Sequence, residues 1–134
     1  MFLQKLDHIG IAVKSIEGCL DFYSGVLGLE VETLFSVAEQ GIKACMLKIG
    51  NTKIELLEST TEGSPIAKYI EKRGEGIHHI CFEVEDIETS LHTLERKGIT
   101  LIDKTPRMGA EGKKIAFLHP KSTHGVLIEL TSVF

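Results

Sequence analysis

Hydrophobic and polar residues alternate in two stretches of the chain that resemble each other in order and character. His8-Ile-Gly-Ile-Ala-Val13 is followed by Lys-Ser-Ile-Glu, and His79-Ile-Cys-Phe-Glu-Val84 is followed by Glu-Asp-Ile-Glu. The period of two in each stretch predicts a strand whose successive side chains lie on opposite faces of a sheet. Their similarity indicates an internal duplication.

The first copy continues with the pattern of one helix and three further strands. A helix is predicted from Ser15, a suitable N-cap, to Gly28, with Ile16, Leu20, Tyr23 and Leu27 on one face. Gly50-Asn51 is typical of the turn between the last two strands. The four strands are expected over about residues 5–13, 30–36, 42–49 and 52–58, which makes a first module of about residues 5–58.

The second copy, about residues 77–132, repeats this plan. Asp86 can cap a helix that ends near Gly98. A separate linker helix over about residues 64–74 has Ser64 as N-cap, Pro65 in its first turn and Gly74 at its end. The strands of this copy are expected over about residues 78–84, 99–103, 114–118 and 125–132.

Nothing in the sequence is typical of an interdomain linker, so we expect residues 1–134 to form one domain. The predicted fold class is α+β, with two tandem βαβββ modules forming a curved, mixed or antiparallel sheet around a metal site. A βαβββ unit alone would expose one apolar face of its sheet, and pairing two units would cover both.

Composition narrows the classes of function. The chain has 43% hydrophobic residues, 25% charged residues and a net charge of −4, which argues against nucleic-acid binding. No apolar run approaches the ~20 residues of a membrane span, and the start lacks the apolar core of a secretion signal. We therefore predict a cytoplasmic protein whose three cysteines, Cys19, Cys45 and Cys81, are reduced and mostly buried.

Each copy contributes one histidine and one glutamate at corresponding positions. The histidines are His8 and His79, and the glutamates are Glu55 and Glu129, each in the last strand of its copy. In every case the neighbouring apolar residues point to the opposite face of the strand. All four side chains can therefore line the face of the sheet that is not packed on helices.

Two imidazoles and two carboxylates suit one divalent ion such as Co, Zn, Ni or Mn. A single strand histidine or glutamate is more often a solvated or hydrogen-bonded side chain, but the duplication and shared register favour a metal site. If the two modules are related by a pseudo-twofold axis, Glu55 and Glu129 approach a chelated substrate from opposite sides. One carboxylate can then remove a carbon-bound proton while the other returns one, so the set indicates enolisation chemistry.

These residues resemble the vicinal oxygen chelate superfamily, which includes the glyoxalases and bleomycin-resistance proteins, and within it the methylmalonyl-CoA epimerase family. The resemblance covers essentially the whole chain, and its most specific segments are Leu6–Val13, Glu39–Gly41, Gly50–Leu57, Gly76–Cys81, His119–Ser122 and Gly125–Leu130. It implies an isomerase with a divalent metal at His8, Glu55, His79 and Glu129. It also implies an acyl-CoA substrate, methylmalonyl-CoA, epimerised through a metal-stabilised enolate, and a homodimer.

One position departs from the family pattern. Some epimerases carry a glutamate base in the strand after Glu-Gln-Gly, where this chain has Ala44, and have glutamine at the position of Glu55. We therefore hypothesise that Glu55 supplies the base, an arrangement that resembles glyoxalase I.

Alternative functions stay open at this point. Glyoxalase I, or lactoylglutathione lyase, is an enolising isomerase whose bacterial forms resemble this chain in having two histidines and two glutamates at the metal. The second alternative is a non-catalytic member of the superfamily that binds a small molecule without metal. A ring-cleaving dioxygenase is less consistent with the pattern, because it uses an iron triad with one carboxylate.

Overall fold

The computed structural model describes residues 3–109 and 111–133, which form eight strands and three α-helices. The strands are β1 Leu3–Ala12, β2 Glu30–Val37, β3 Ile42–Ile49, β4 Thr52–Ser59, β5 Gly76–Val84, β6 Arg107–Met108, β7 Lys114–Leu118 and β8 Ile128–Ser132. The α-helices are α1 Ile16–Leu20, α2 Pro65–Arg73 and α3 Ile87–Arg96. The predicted α+β class with two βαβββ modules is confirmed.

By the proximity of its Cα atoms the chain divides into two compact units. The N-terminal unit is His8–His78, and the C-terminal unit comprises the described residues of Met1–Asp7 and His79–Phe134. The N-terminal unit has the strand order β2-β3-β4-β1, and the C-terminal unit has the order β5-β8-β7-β6. In each unit one pair is parallel, β1 with β4 or β5 with β8, and the other pairings are antiparallel.

Helix α1 covers one face of the N-terminal sheet. The hydroxyl of Ser15 accepts a hydrogen bond from the Gly18 N–H at 3.0 Å, and the Glu58 carboxylate accepts one from the Ile16 N–H at 2.7 Å. These acceptors satisfy amides that have no partner within the first turn of a helix. The cluster under α1 consists of Val13, Ile16, Cys45, Leu47 and Leu56.

The second half of the predicted first helix differs from an α-helix. Residues Asp21–Val26 form π-helical turns, in which the Leu27 N–H reaches the Phe22 carbonyl. The wider turn changes the angular spacing of the side chains. Tyr23 still packs on the core as predicted, but Leu27, predicted on the buried face, is exposed.

Helix α2 packs on the other face of the N-terminal sheet and matches the predicted linker helix. Ser64 caps it by accepting from the Ala67 N–H at 3.0 Å, and Gly74 ends it with a φ of 76°. Its Ile66 lies in a buried cluster with Ala12, Ile42, Ala44 and Leu57. By strand alternation this is also the face that carries His8 and Glu55, so the expectation that no helix packs on their face is wrong for the N-terminal unit.

Helix α3 covers one face of the C-terminal sheet. Asp86 caps it as predicted, because its Oδ1 accepts from the Thr89 N–H at 3.1 Å. The buried cluster beneath it consists of Val84, Ile87, Leu91, Ala116, Leu118 and Leu130. Ile128 and Leu130 therefore face the helix, and Glu129 between them faces away.

The prediction of a strand over about residues 99–103 is wrong. Leu101 makes only an isolated bridge with Leu118, and the short β6 pairs with β7 further along the chain. The Ile102 and Asp103 amides both donate to the Phe117 carbonyl, at 2.9 and 3.2 Å. Successive amides of a regular strand point to opposite sides, so two that share one acceptor interrupt the ladder.

Two further findings complete the fold. Strand β8 begins at Ile128, later than the predicted residue 125, after Gly125 with a φ of 90°. Within residues 3–109 and 111–133, no helix combines the length and apolar character needed to cross a bilayer.

Truncating Leu91 to alanine should lower the free energy of unfolding by about 2–5 kcal/mol, because the side chain is fully buried on the inner face of α3 and its loss leaves a cavity. Urea unfolding followed by circular dichroism measures the change. His92→Ala is the matched control on the same helix, since His92 is exposed and should change stability by no more than about 0.5 kcal/mol. Equal effects of the two substitutions would contradict this core assignment.

Candidate metal centre

The N-terminal unit brings together His8 and Glu55. In the parallel pair of β1 and β4, Gly10 lies opposite Glu55, so His8 is two residues before the glutamate's partner and shares its face. His8 Nε2 is 3.4 Å from Glu55 Oε1, and the two side chains are only 8% and 11% exposed.

The C-terminal unit brings together His79 and Glu129 by the same register. Cys81 lies opposite Glu129 in the parallel pair of β5 and β8, and His79 is again two residues earlier. His79 Nε2 is 3.1 Å from Glu129 Oε1, and these side chains are 5% and 9% exposed. The duplication in the sequence is therefore also a duplication of geometry.

The donor atoms of each pair suit a divalent cation. Neighbouring ligands of an ion that binds nitrogen and oxygen at about 2.1 Å are themselves about 3.0–3.4 Å apart, depending on coordination number. The same spacing suits a hydrogen bond between imidazole and carboxylate. Burial of a carboxylate is costly unless a cation or hydrogen bonds compensate its charge, so each glutamate needs a charged or polar partner. The residues of both pairs fit a metal, and binding of one ion by all four stays a prediction.

The surroundings of the two pairs differ. Met46 of β3 lies opposite Glu55, whereas Phe117 of β7 lies opposite Glu129. The Phe117 ring contacts the His79 imidazole edge to face, with ring centroids 5.8 Å apart and planes at 81°. Phe117 was not among the residues predicted for the site. Its position could have indicated it, because strand alternation places Phe117 on the face opposite the apolar Ala116 and Leu118.

Ala44 lies in an apolar environment. It is fully buried opposite Leu57 and belongs to the apolar cluster under α2. The other glutamate of β4, Glu58, faces α1, where it accepts from the Ile16 N–H and lies 3.6 Å from Lys43 Nζ. Of the two glutamates in β4, only Glu55 shares the face of His8.

The cysteines are free thiols, as predicted. Cys45 and Cys81 are buried and Cys19 is half-buried. Burial raises the pKa of Cys45, and burial followed by the negative charges of Glu75 and Glu58 raises the pKa of Cys19. Because the thiolate is the form that binds metal, these two shifts disfavour Cys45 and Cys19 as ligands.

Comparison with known proteins identifies the family. Residues 7–117 match the model of the Glyoxalase/Bleomycin resistance protein/Dioxygenase superfamily. The chain belongs to this superfamily. The resemblance inferred from the sequence is therefore confirmed.

Several similar proteins are epimerases by name. The ethylmalonyl-CoA/methylmalonyl-CoA epimerase of Cereibacter sphaeroides is 42% identical, over 96% of this chain and 98% of its own length. The mitochondrial methylmalonyl-CoA epimerase of Dictyostelium discoideum is also 42% identical, over 94% of this chain and 76% of its own. A solved methylmalonyl-CoA epimerase in complex with methylmalonyl-CoA and NH4+ superposes with a TM-score of 0.92 at 40% identity, covering 97% of this chain and 94% of that one. These similarities confirm the expectation of an isomerase and of the fold.

The alternative family is also represented, at lower similarity. A lactoylglutathione lyase of Schizosaccharomyces pombe is 33% identical over 87% of this chain, but the match covers only 44% of that protein. Both families share the superfamily fold, so the distinction between them depends on substrate.

Proposed function

We propose that this chain epimerises methylmalonyl-CoA by removing a proton from the carbon between its two carbonyl groups and returning one to the opposite side. The duplicated His–Glu pair carries this proposal, because each half supplies a buried carboxylate beside a buried imidazole. Similarity to epimerases over nearly the full length of the chain supports the substrate.

The metal site of this proposal is formed by His8, Glu55, His79 and Glu129. A divalent cation held there would act as a Lewis acid and stabilise negative charge on the substrate's carbonyl oxygens. Co, Zn, Ni and Mn all accept imidazole and carboxylate ligands, so the donor set leaves the choice among them open. The homodimer and the cytoplasmic location stay predictions.

The two glutamates are the proposed acid–base groups. Glu55 takes the role of the base that some epimerases place at the position of Ala44, since Ala44 lies in an apolar cluster and Glu55 is the glutamate of β4 on the His8 face. Glu129 is its counterpart in the second module and would exchange the proton on the other face of the substrate. A positioned general base contributes about 10²–10⁴-fold to the rate.

The proposed substrate is tested by solvent exchange. In D₂O the chain should incorporate deuterium at the C2 position of methylmalonyl-CoA and interconvert the two epimers, both followed by NMR and mass spectrometry. The competing assay is isomerisation of the methylglyoxal–glutathione hemithioacetal. Turnover of the hemithioacetal without epimer exchange would replace this proposal with the lyase function.

Glu55→Gln should lower kcat for epimer exchange by about 10²-fold or more, because an amide cannot accept the substrate proton at neutral pH. Glu58→Gln is the matched control on the same strand; it keeps an oxygen acceptor for the Ile16 N–H and should stay within about threefold of the unaltered chain. Near-normal exchange by Glu55→Gln with metal still bound would exclude Glu55 as the base.

Removal of metal by a chelator should abolish exchange, and one equivalent of Co²⁺ or Zn²⁺ per chain should restore it and raise the thermal midpoint. His79→Ala should lower the affinity for Co²⁺ by at least about tenfold, as measured by isothermal titration calorimetry. His92→Ala, on an exposed helix position, is the control for non-specific binding. Full activity after complete metal removal would contradict the proposed centre.

A further inference from the structure

Phe117 lies between a candidate ligand and a surface cation. The Phe117 ring contacts the His79 imidazole, with the two ring centroids 5.8 Å apart. The ring also contacts the guanidinium of Arg107, whose Cζ is 5.6 Å from the centroid of the Phe117 ring. Edge-to-face aromatic contacts and cation–π contacts both depend on ring orientation, so each constrains Phe117.

The backbone of Phe117 is held by the segment that interrupts the predicted strand. Its carbonyl accepts from the Ile102 and Asp103 amides, and its N–H donates to Asp103 Oδ2 at 2.8 Å. Three hydrogen bonds from two adjacent residues leave this position little freedom to shift.

Asp103 also holds Arg107. Its second oxygen, Oδ1, is 3.3 Å from Arg107 Nε, so one carboxylate connects the Phe117 backbone with the cation over the Phe117 ring. The carboxylate side chain is only 18% exposed, which lessens solvent screening of this pair. Asp103 and Arg107 thus form a clamp on Phe117, whose ring contacts the His79 imidazole.

The first module lacks this clamp. The position of Phe117 is occupied there by Met46, which is buried but has a flexible, unbranched side chain. The strand corresponding to the interrupted segment is β2, which pairs with β3 over most of its length and has one register shift between Val31 and Thr33. The two modules therefore present the same ligand types with different support.

We propose that Phe117 is a positioning residue that fixes the imidazole of His79, with Asp103 and Arg107 as its clamp. The His79–Glu129 pair is then the rigid half of the centre, and the His8–Glu55 pair is the half able to adjust during proton transfer. The catalytic consequence rests on the proposed function, whereas the orientation of His79 can be measured without it.

The first test uses the metal-free chain and measures the side-chain rotamers of His79. Three-bond couplings to Cγ should indicate a single χ1 rotamer in the unaltered chain and averaged values in Phe117→Leu. Phe117→Tyr keeps the ring and should retain the single rotamer. Met46→Leu is the matched apolar control in the other module and should leave His79 unchanged.

The second test measures Co²⁺ affinity and its visible absorption spectrum. Phe117→Leu should weaken binding about tenfold and alter the spectrum, as expected when a residue that orients a ligand is removed. Phe117→Tyr and Met46→Leu should leave the Co²⁺ affinity unchanged. Arg107→Met, an exposed substitution that does not threaten folding, should weaken binding by a smaller factor of about three.

If Phe117→Leu folds and His79 still has a single rotamer, the inference is overturned. If Phe117→Leu does not fold, unchanged His79 couplings and Co²⁺ affinity in Arg107→Met would overturn it. Failure of the unaltered chain to bind Co²⁺ would contradict the proposed function instead. The coupling constants would still decide the role of Phe117 in that case.

Discussion

The parallel register between a histidine strand and a glutamate strand is the constraint on which this protein's candidate centre depends. In both modules the histidine lies two residues before the partner of the glutamate, and this places Nε2 beside the carboxylate at 3.1–3.4 Å. A slip of one residue would turn the histidine toward the helix and bury its ring in an apolar cluster. The register is secured from the other face, because Leu56 packs under α1 and Leu130 packs under α3. Helix packing and ligand placement are thus two consequences of the same alternation.

The modules are alike in their ligands and unlike in what surrounds them. Met46 faces Glu55 in one unit, and Phe117 faces Glu129 in the other. An epimerase removes a proton from one face of a carbon and returns a proton to the opposite face. A carboxylate on each face suits this reaction, with one acting as base while the other acts as acid. Different support for equivalent ligands is consistent with that division. The first module also has the buried Ala44 in β3, and its glutamate on the candidate face is Glu55 of β4.

The irregular segment before β6 is where the clamp on Phe117 arises. Asp103 uses one oxygen for the Phe117 N–H and the other for Arg107. Departures from regular pairing often re-aim side chains near functional sites. The sequence contains hints of the irregularity in Pro106, which has no N–H for a ladder, and in the polar residues around it.

The sequence by itself determined the modules, most of their helices and strands, and the four candidate residues, because these follow from local periodicity, caps and repetition. Ser15, Ser64 and Asp86 cap their helices as predicted, and β3 and β7 have the predicted bounds. Only the tertiary structure decided the π-helical turns after α1, the loss of the strand near residue 101, and the contact of Phe117 with His79. The π-helical turns are closed by local hydrogen bonds such as that from the Leu27 N–H to the Phe22 carbonyl, where the apolar spacing predicts an α-helix. The lost strand and the Phe117 contact depend on hydrogen bonds and ring contacts between residues distant in sequence, and no local pattern encodes which distant partner will take a given amide, carboxylate or ring face.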